Sequence, residues 1–190
     1  MKLKVLLLPL AVAFLFSGYP PTQPTEAKQP VKTSQSAWRQ FSSTEGAFNV
    51  LMPGKPRQFR QPQKTSIGQV DVRGFIVEQY GGTVAYVVMY ADIPNKSPQK
   101  VNYKQLFDGA SNRTLKNTRG KLLNQRNLQM QGYPGREFTV GTRGVVIKNR
   151  MYFAKPRIYQ VMVVSTTDKE ANLSKSITGF LDSFSLRSRS

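Results

Sequence analysis

The stretch RIYQVMVVSTTDKEANLSKSITGFLDSFSL, residues 157–186, decides the fold because a fully apolar strand is followed by an amphipathic helix. In the strand, 158–166, large apolar residues occupy both parities, with Tyr159 and Val161 on one and Ile158 and Met162 on the other. Such a strand is typical of the middle of a sheet that is covered on both sides. A helix capped by Thr167 or Asp168 is predicted near 169–183, because apolar residues recur at helical spacing: Leu173, Ile177, Phe180, Leu181 and Phe184.

The rest of the chain outward from this stretch reads as short strands and one further helix. A second strand that is apolar on both parities, 83–93, follows the strand 70–79, and Tyr80-Gly81-Gly82 between them predicts a tight hairpin. The segment 97–117 predicts the other helix, with Ser97 as its N-cap and Pro98 at its first position. Alternating or apolar runs predict further strands at 38–43, 47–53, 121–131, 133–142 and 144–154.

These elements predict an α+β protein. Its strands are mostly joined by hairpins, and two of them must be covered on both faces, which a central sheet with helices packed on it achieves. We therefore expect a single-domain α/β/α sandwich with a central, mostly antiparallel sheet and two main helices.

The composition excludes several kinds of chemistry. The 190 residues contain no Cys, which excludes disulfides, and no His, which removes the commonest general base and metal ligand. Lys and Arg number 28 against 10 Asp and Glu, which gives a formal net charge of +18. Such a charge favours acidic partners, namely nucleic acid, anionic lipid or an acidic protein face. The acidic residues are scattered and no calcium-loop spacing occurs, so we predict no metal ion and no cofactor.

The first 18 residues have the pattern of a secretory signal peptide. Lys2 and Lys4 precede an apolar run from Val5 to Phe16, which as a helix rises about 18 Å and falls short of a ~30 Å bilayer core. Cleavage is predicted between residues 18 and 27, and an uncleaved peripheral anchor is the alternative. Loss of residues 1–18 leaves a formal charge of +16. We therefore expect the protein to be located outside the cytoplasm, in a periplasm or a thylakoid lumen or as a secreted protein.

Residues 19–37 are predicted to form a Pro-rich flexible linker. This segment contains four prolines and almost no large apolar side chains, so it cannot bury a core of its own. It serves either as a docking arm or as a spacer. The folded domain is predicted to span 38–186, and residues 187–190 form a basic tail.

Two short motifs imitate functional sites but have local structural explanations. Gly54-Lys55 lies in GAFNVLMPGKP, 46–56, but a phosphate-binding loop needs Gly-x4-Gly-Lys-Ser/Thr leading into a helix, and here Pro56 follows the lysine. Ser97 and Lys100 match one motif of the penicillin-binding enzymes, yet the other two motifs of that family, Ser-Asp-Asn and Lys-Thr-Gly, are absent. The helix cap explains Ser97 instead.

Three segments resemble the PsbP-type α/β/α sandwich family: GAFNVLMPGKP at 46–56, YPGREF at 133–138, and the closing stretch 157–186. The founding members of that family are extrinsic subunits of photosystem II on the lumenal side of the thylakoid. Many of their relatives are assembly or accessory proteins of photosynthetic membrane complexes. The resemblance, over about residues 38–186, therefore implies the sandwich fold and an accessory role. Because the chain has no His, it cannot repeat the metal-binding positions of the founding subunits, and no functional residue is transferred.

The charge and the resemblance together predict a non-catalytic, membrane-associated accessory protein. We expect a basic surface to dock on an acidic face of a membrane protein complex or on an anionic lipid surface. The candidate contacts are two groups of cations predicted to lie in or near loops: Lys55, Arg57, Arg60 and Lys64, and then Arg143, Lys148, Arg150, Lys155 and Arg157.

Three alternatives remain open at this point. One is a basic module that binds nucleic acid or another polyanion, although its aromatic side chains should then lie exposed on a sheet face. Four aromatics instead fall in strands predicted to be buried: Tyr86, Tyr152, Phe153 and Tyr159. The second alternative is a hydrolase that uses Ser or Tyr with Lys and needs no His. The third is that the charge serves only solubility.

Overall fold

The computed structural model describes residues 38–65, 68–94 and 102–187 of the chain. The predicted signal peptide, the linker, Ser97 and the last three residues lie outside this part. Within it the strands are β1 (Arg39–Ser43), β2 (Phe48–Met52), β3 (Arg57–Thr65), β4 (Gly68–Gln79), β5 (Val84–Asp92), β6 (Lys121–Met130), β7 (Tyr133–Gly141), β8 (Val145–Ala154), β9 (Arg157–Thr166) and β10 (Ser185–Leu186). The helices are α1 (Tyr103–Thr118), α2 (Thr167–Asn172) and α3 (Ser174–Asp182).

The main sheet has seven antiparallel strands in the order β3-β4-β5-β9-β8-β7-β6. The two strands predicted to be apolar on both faces, β5 and β9, pair with each other in the middle, with Tyr86 opposite Val163. Nearly every residue of both strands is buried. The prediction of a central antiparallel sheet is therefore confirmed, and its cause is visible in the sequence, because a strand covered on both faces needs apolar residues at both parities.

A second, smaller sheet was not predicted. It has the order β1-β2-β10, and its middle strand β2 pairs with both neighbours in antiparallel register. The sequence predicted β1 and β2 as strands but assigned them to one central sheet. β2 shows the predicted alternation, with Phe48, Val50 and Met52 buried, because only one of its faces is covered.

The two faces of the main sheet bury separate cores. On one face, Phe107 and Ala110 of α1 join a cluster with Val87 and Met162 of the central strands. On the other face, Phe180 of α3 joins the second cluster. The same cluster contains three residues of β2, Phe48, Val50 and Met52. One outer layer is therefore helical, and the other combines a helix with the small sheet, which refines the predicted sandwich.

Both predicted helices form, with different ends. Helix α1 begins at Tyr103, where the Asn102 side chain accepts a hydrogen bond from the Lys104 N–H at 2.9 Å, so Asn102 is its cap rather than Ser97. The last helix divides into α2 and α3 at Leu173, whose φ of −108° and ψ of 14° are not helical. Thr166 occupies the N-cap position of α2, one residue before the predicted cap.

The predicted turn between β4 and β5 forms, and one predicted loop does not. In the β4–β5 turn, φ is positive at Tyr80, Gly81 and Gly82, which glycine adopts without the steric cost paid by other residues. Lys155-Pro156, with a cis peptide bond, links β8 to β9. The segment after Gly54, predicted as a loop, is the edge strand β3. The polar sequence of this segment and its Pro62 did not indicate a strand. An edge strand, however, can have polar side chains, and not all of its backbone N–H groups are needed for pairing.

Candidate functional site

The nine cations predicted as partner contacts separate into different environments. Four take part in ion pairs within the chain: Arg60, Lys148, Arg150 and Arg157. The side chain of Lys64 lies outside the described part. The other four are exposed and have no ion pair with any described residue: Lys55, Arg57, Arg143 and Lys155.

Arg150 is a buried structural residue, with 9 % of its surface exposed. Its guanidinium binds Glu137 on β7, and its Nη1 donates to Asp182 Oδ1 of α3 at 2.6 Å. Burial lowers the pKa of Arg150, but hydrogen bonds to Glu137 and Asp182 outweigh burial and raise it above its ordinary value. Such a cation is already neutralised by its neighbours, so we leave Arg150 out of the docking surface.

Arg157 is likewise enclosed, with 7 % exposure. Its Nη1 donates to the Glu45 carbonyl at 2.7 Å, and its guanidinium lies 4.6 Å from the centroid of the Tyr90 ring. A hydrogen bond to Asp92 is the largest influence on the pKa of Arg157 and raises it, while burial opposes the shift. Arg157 therefore links the loop between β1 and β2, which contains Glu45, to the main sheet. Its guanidinium is not available to a partner.

Arg60 and Lys148 are paired closer to the surface. Arg60 of β3 binds Asp71 on the neighbouring strand, which the sequence could not place beside it without the β3–β4 register. Lys148 of β8 binds Glu170 of α2 at 2.6 Å. Pairs this close to the solvent contribute little to stability. Each nevertheless lowers the net charge that a partner meets.

One end of the main sheet collects the unpaired cations. The β4–β5 and β7–β8 turns lie together there, because Thr166 N donates to Thr83 O and Thr167 N donates to Gly144 O, each at 3.1 Å. Lys121 pairs with Gly141, which brings the start of β6 to the same end. We call this the basic end and define it by seven exposed cations without an ion pair among the described residues: Arg39, Lys55, Arg57, Lys116, Arg119, Lys121 and Arg143.

The small sheet reaches the same end. Arg39 of β1 is opposite Met52 of β2, and the following Pro53 carbonyl accepts a hydrogen bond from Gln79 Nε2 at 2.7 Å beside the β4–β5 turn. The ring of Trp38 lies 5.3 Å from that of Tyr86, near the start of β5. The described part of the domain therefore begins at the basic end.

The opposite end has a different charge arrangement. There the acidic side chains are matched by arginines, in the pairs Arg60–Asp71, Arg73–Glu45, Arg136–Asp108 and Arg157–Asp92. Lys104, Lys155 and Arg187 are the exposed cations without an ion pair that are described at that end. Near the basic end, acids such as Glu170 and Asp168 lie beside lysines Lys148 and Lys169 instead. The charge of the domain is thus asymmetric along the strand direction.

Four members of the basic end were not among the predicted contacts: Arg39, Lys116, Arg119 and Lys121. Arg119 and Lys121 were missed because they are more than twenty positions from Arg143 along the chain, and only the β6–β7 pairing brings them together. The available signal was the run from Lys116 to Lys121, in which a helix end and a strand start supply three cations and no acid.

Solved structures identify the fold. No protein-family model matches the chain, and no curated protein matches its sequence. The solution structure of cyanobacterial PsbP (CyanoP) from Synechocystis sp. PCC 6803 matches with a TM-score of 0.54 and 10 % identity, over 84 % of this chain and 98 % of that chain. This chain therefore has a PsbP-like fold. A protein of unknown function, PA94 from Pseudomonas aeruginosa, matches with a TM-score of 0.41 and 10 % identity, over 80 % of this chain and 98 % of that one, too low for any argument.

The domain also has a polar cleft at the opposite end, of about 380 Å³, lined by Gln69, Val70, Asp71, Arg73, Tyr90 and Asp92. Its two carboxylates are bound by Arg60 and Arg157, so neither is positioned as a lone general base. Within the described residues, no three side chains among His, Cys, Asp and Glu are grouped to hold a metal ion. None of the described helices has the length and apolar character to cross a membrane.

Proposed function

We propose that the protein is a non-catalytic accessory protein. It docks by its basic end on an acidic surface at a membrane, where membrane protein complexes are found. The observation on which this rests is the separation of charge: seven exposed cations at one end have no described ion pair, whereas arginines match the acids of the other end. A field of this kind orients a protein before contact and raises its association rate with an acidic surface.

The PsbP-like fold supports an accessory role without assigning a partner. Photosynthetic membrane complexes belong to this proposal as the partner class that the family resemblance implies. The binding of single-stranded nucleic acid receives less support, because the strand residues Tyr86, Tyr152 and Tyr159 are buried. The aromatics exposed at the basic end, Trp38 and Tyr80, lie before β1 and in the β4–β5 turn, not side by side on a sheet face as a stacking surface requires.

The proposal extends to export. The apolar run at 5–16 has the length of a signal peptide, so we expect the mature protein to begin between about residues 19 and 28. N-terminal sequencing of protein from its native host tests this, and an intact Met1 would contradict it.

Charge reversal at the two ends tests the docking surface. The first variant combines Lys121→Glu and Arg143→Glu at the basic end. Its matched control combines Lys104→Glu and Lys155→Glu at the opposite end. Both change the net charge by the same amount at exposed positions. Binding to membranes from the native host is measured at low and at high salt.

At low salt, the basic-end variant should associate about tenfold more slowly than the wild type, while the control should stay within a factor of two or so. At high salt the difference should shrink, because the Debye length falls from ~10 Å at 0.1 M to ~3 Å at 1 M. Equal slowing by both variants would show that only net charge matters. Wild-type binding that does not depend on salt would refute the proposal.

A further inference from the structure

We infer that one corner of the basic end binds the surface of an anionic lipid bilayer and inserts two leucines into it. This inference rests on the proposed function, because it uses the same end of the molecule, and it names the acidic surface as lipid. The corner consists of Leu122 and Leu123 at the start of β6 with Arg119, Lys121 and Arg143 around them; we call it the leucine corner.

The leucines lie at an irregularity in the edge strand β6, most of whose residues are exposed. Leu122 is opposite Val140 and Asn124 is opposite Thr139, so Leu123 is an extra residue in a β-bulge on the outermost strand. Exposure is 44 % for Leu122 and 61 % for Leu123. The Leu123 side chain lies over the backbone of Gly141, where any Cβ would come within 2.8 Å of its Cδ1. Two adjacent large apolar side chains therefore project at the edge of the domain.

The cations of the leucine corner are neighbours of these leucines along the chain and across the β6–β7 pairing. Lys121 immediately precedes Leu122 and pairs in register with Gly141, two residues before Arg143. Arg119 is the C-cap of α1, and Lys116 lies in the last turn of that helix. The three cations of the leucine corner and the neighbouring Lys116 are exposed, and none forms an ion pair with a described residue.

A bilayer surface matches this combination better than an acidic protein face does. Phosphate headgroups attract the cations, and the acyl boundary just below them accepts apolar side chains. Lysine and arginine can keep their charges among the headgroups while their stems lie along apolar surface. A hydrated acidic protein face would satisfy the cations but would leave Leu122 and Leu123 with no apolar partner.

Two aromatic residues at the same end agree with this orientation. Trp38 and Tyr80 are both exposed there, and such amphipathic rings are enriched at membrane–water interfaces. The Lys169 Nζ also lies 5.4 Å from the centroid of the Tyr80 ring.

Vesicle binding by the full chain tests the inference, with four proteins that share the same N-terminal segment. They are the wild type, Leu122→Ser with Leu123→Ser, Lys121→Gln with Arg143→Gln, and the opposite-end control Lys104→Gln with Lys155→Gln. Each is mixed with protein-free vesicles of phosphatidylcholine alone or of phosphatidylcholine with phosphatidylglycerol, and sedimentation gives the bound fraction. Circular dichroism checks that every variant is folded.

The wild type should bind the phosphatidylglycerol vesicles more tightly than the neutral ones. Removal of two cations should weaken this binding about 25-fold, because each cation near an anionic leaflet contributes about fivefold. The leucine variant should lose at least about tenfold, because its apolar side chains no longer enter the boundary. The opposite-end control should bind like the wild type.

Fluorescence locates the insertion independently. Trp38 is the only tryptophan of the chain, so Trp38→Phe provides a background in which Leu123→Trp reports on the leucine corner and Tyr133→Trp reports on the opposite end. Brominated phosphatidylglycerol should quench the tryptophan at position 123 and leave the one at position 133 unquenched.

The results also separate this inference from the proposed function. Salt-sensitive binding to native membranes without binding to anionic vesicles would overturn the lipid assignment and would favour an acidic protein face, while the proposed function would stand. Vesicle binding that depends on the cations but not on the leucines, with no quenching at position 123, would overturn insertion. Loss of both native-membrane and vesicle binding would overturn the proposed function as well.

Discussion

Arg157 binds Asp92 through two hydrogen bonds, from Nε to Oδ1 at 2.6 Å and from Nη2 to Oδ2 at 2.7 Å. The two residues are 65 positions apart and join the ends of the central strands β9 and β5. This two-point geometry is specific to the planar guanidinium, and lysine cannot reproduce it. A residue that the sequence proposed as a surface contact is therefore part of the framework.

We predict that Arg157→Ala lowers the free energy of unfolding by about 2–4 kcal/mol, because it removes several charged hydrogen bonds and leaves Asp92 without this partner. Arg157→Lys should recover less than half of the loss. Lys155→Ala, in the adjacent turn, is the control and should change stability by less than about 0.5 kcal/mol. Urea unfolding measures all three, and equal stabilities of the Arg157→Ala and Lys155→Ala proteins would refute the structural role.

The second prediction concerns the packing of α3 on the main sheet. Phe180 is fully buried, and its ring centroid lies 5.2 Å from that of Tyr86 on β5 in an edge-to-face arrangement. Phe180→Ala should lower the free energy of unfolding by about 3–5 kcal/mol through lost burial and a residual cavity. Thr178→Ala, on the exposed side of the same helix, should change it by less than about 0.5 kcal/mol. A loss below about 1 kcal/mol for Phe180→Ala would show that this side of α3 does not hold the core together.

The burial of Phe180 illustrates how much of the fold was legible in the sequence. The helical spacing of apolar residues from Leu173 to Leu181 placed Phe180 on the inner side of a helix. The strands of Tyr86 and Val163 have apolar residues at both parities, which placed them in the centre of the sheet. Patterns of this kind record how many faces of an element are covered. They do not record which distant element supplies the cover, so the small sheet closed by the two-residue strand β10 was not predicted.

The site was less predictable for a related reason. A cation in the sequence looks the same whether it meets solvent or a carboxylate. Arg150 pairs with Asp182, which is 32 positions away, and this pairing depends on how α3 lies against the sheet. Arg119, Lys121 and Arg143 become neighbours only through the β6–β7 register. Charge density along the chain therefore identified the sign of the surface but not its members.

The third prediction is a pH dependence that arises at Glu137. Burial raises the pKa of Glu137, but hydrogen bonds from Arg126 and Arg150 outweigh burial and hold its pKa below the ordinary value. A carboxyl group with a depressed folded-state pKa stabilises the fold above its unfolded pKa of about 4.3. That contribution disappears as the pH falls through the folded-state pKa.

We therefore expect the free energy of unfolding to decline below about pH 4.3. Glu137→Gln should be less stable than the wild type near neutral pH, since Arg150 loses one of its two charged partners. The variant should also show a shallower decline in acid, so that the two stability curves converge. Urea unfolding across this pH range provides the measurement. Curves that stay parallel throughout would contradict the assignment.

The fourth prediction uses one chemical change at two glycines with opposite expected effects. Gly135, in the YPGREF segment of β7, faces β8 so closely that an added Cβ would lie 2.7 Å from the Met151 carbonyl oxygen and 2.6 Å from the Leu128 Cδ1. The backbone oxygen cannot move without disturbing the β7–β8 pairing, in which Gly135 is opposite Tyr152. Gly135→Ala should therefore lower the free energy of unfolding by about 1–3 kcal/mol, as expected for overpacking.

Gly109 provides the matched control, because it lies on the exposed side of α1 and an added Cβ there would meet no atom within 4 Å. Gly109→Ala should raise the free energy of unfolding by about 0.4–1 kcal/mol, since alanine favours the helix and reduces the freedom of the unfolded chain. Thermal and urea unfolding of the two variants should shift in opposite directions from the wild type. If both substitutions stabilise the protein, the close contact between Gly135 and β8 is wrong, and the YPGREF segment has no packing reason for its glycine. If both destabilise it, the open surroundings assigned to Gly109 are wrong, because an alanine side chain there must then meet other atoms.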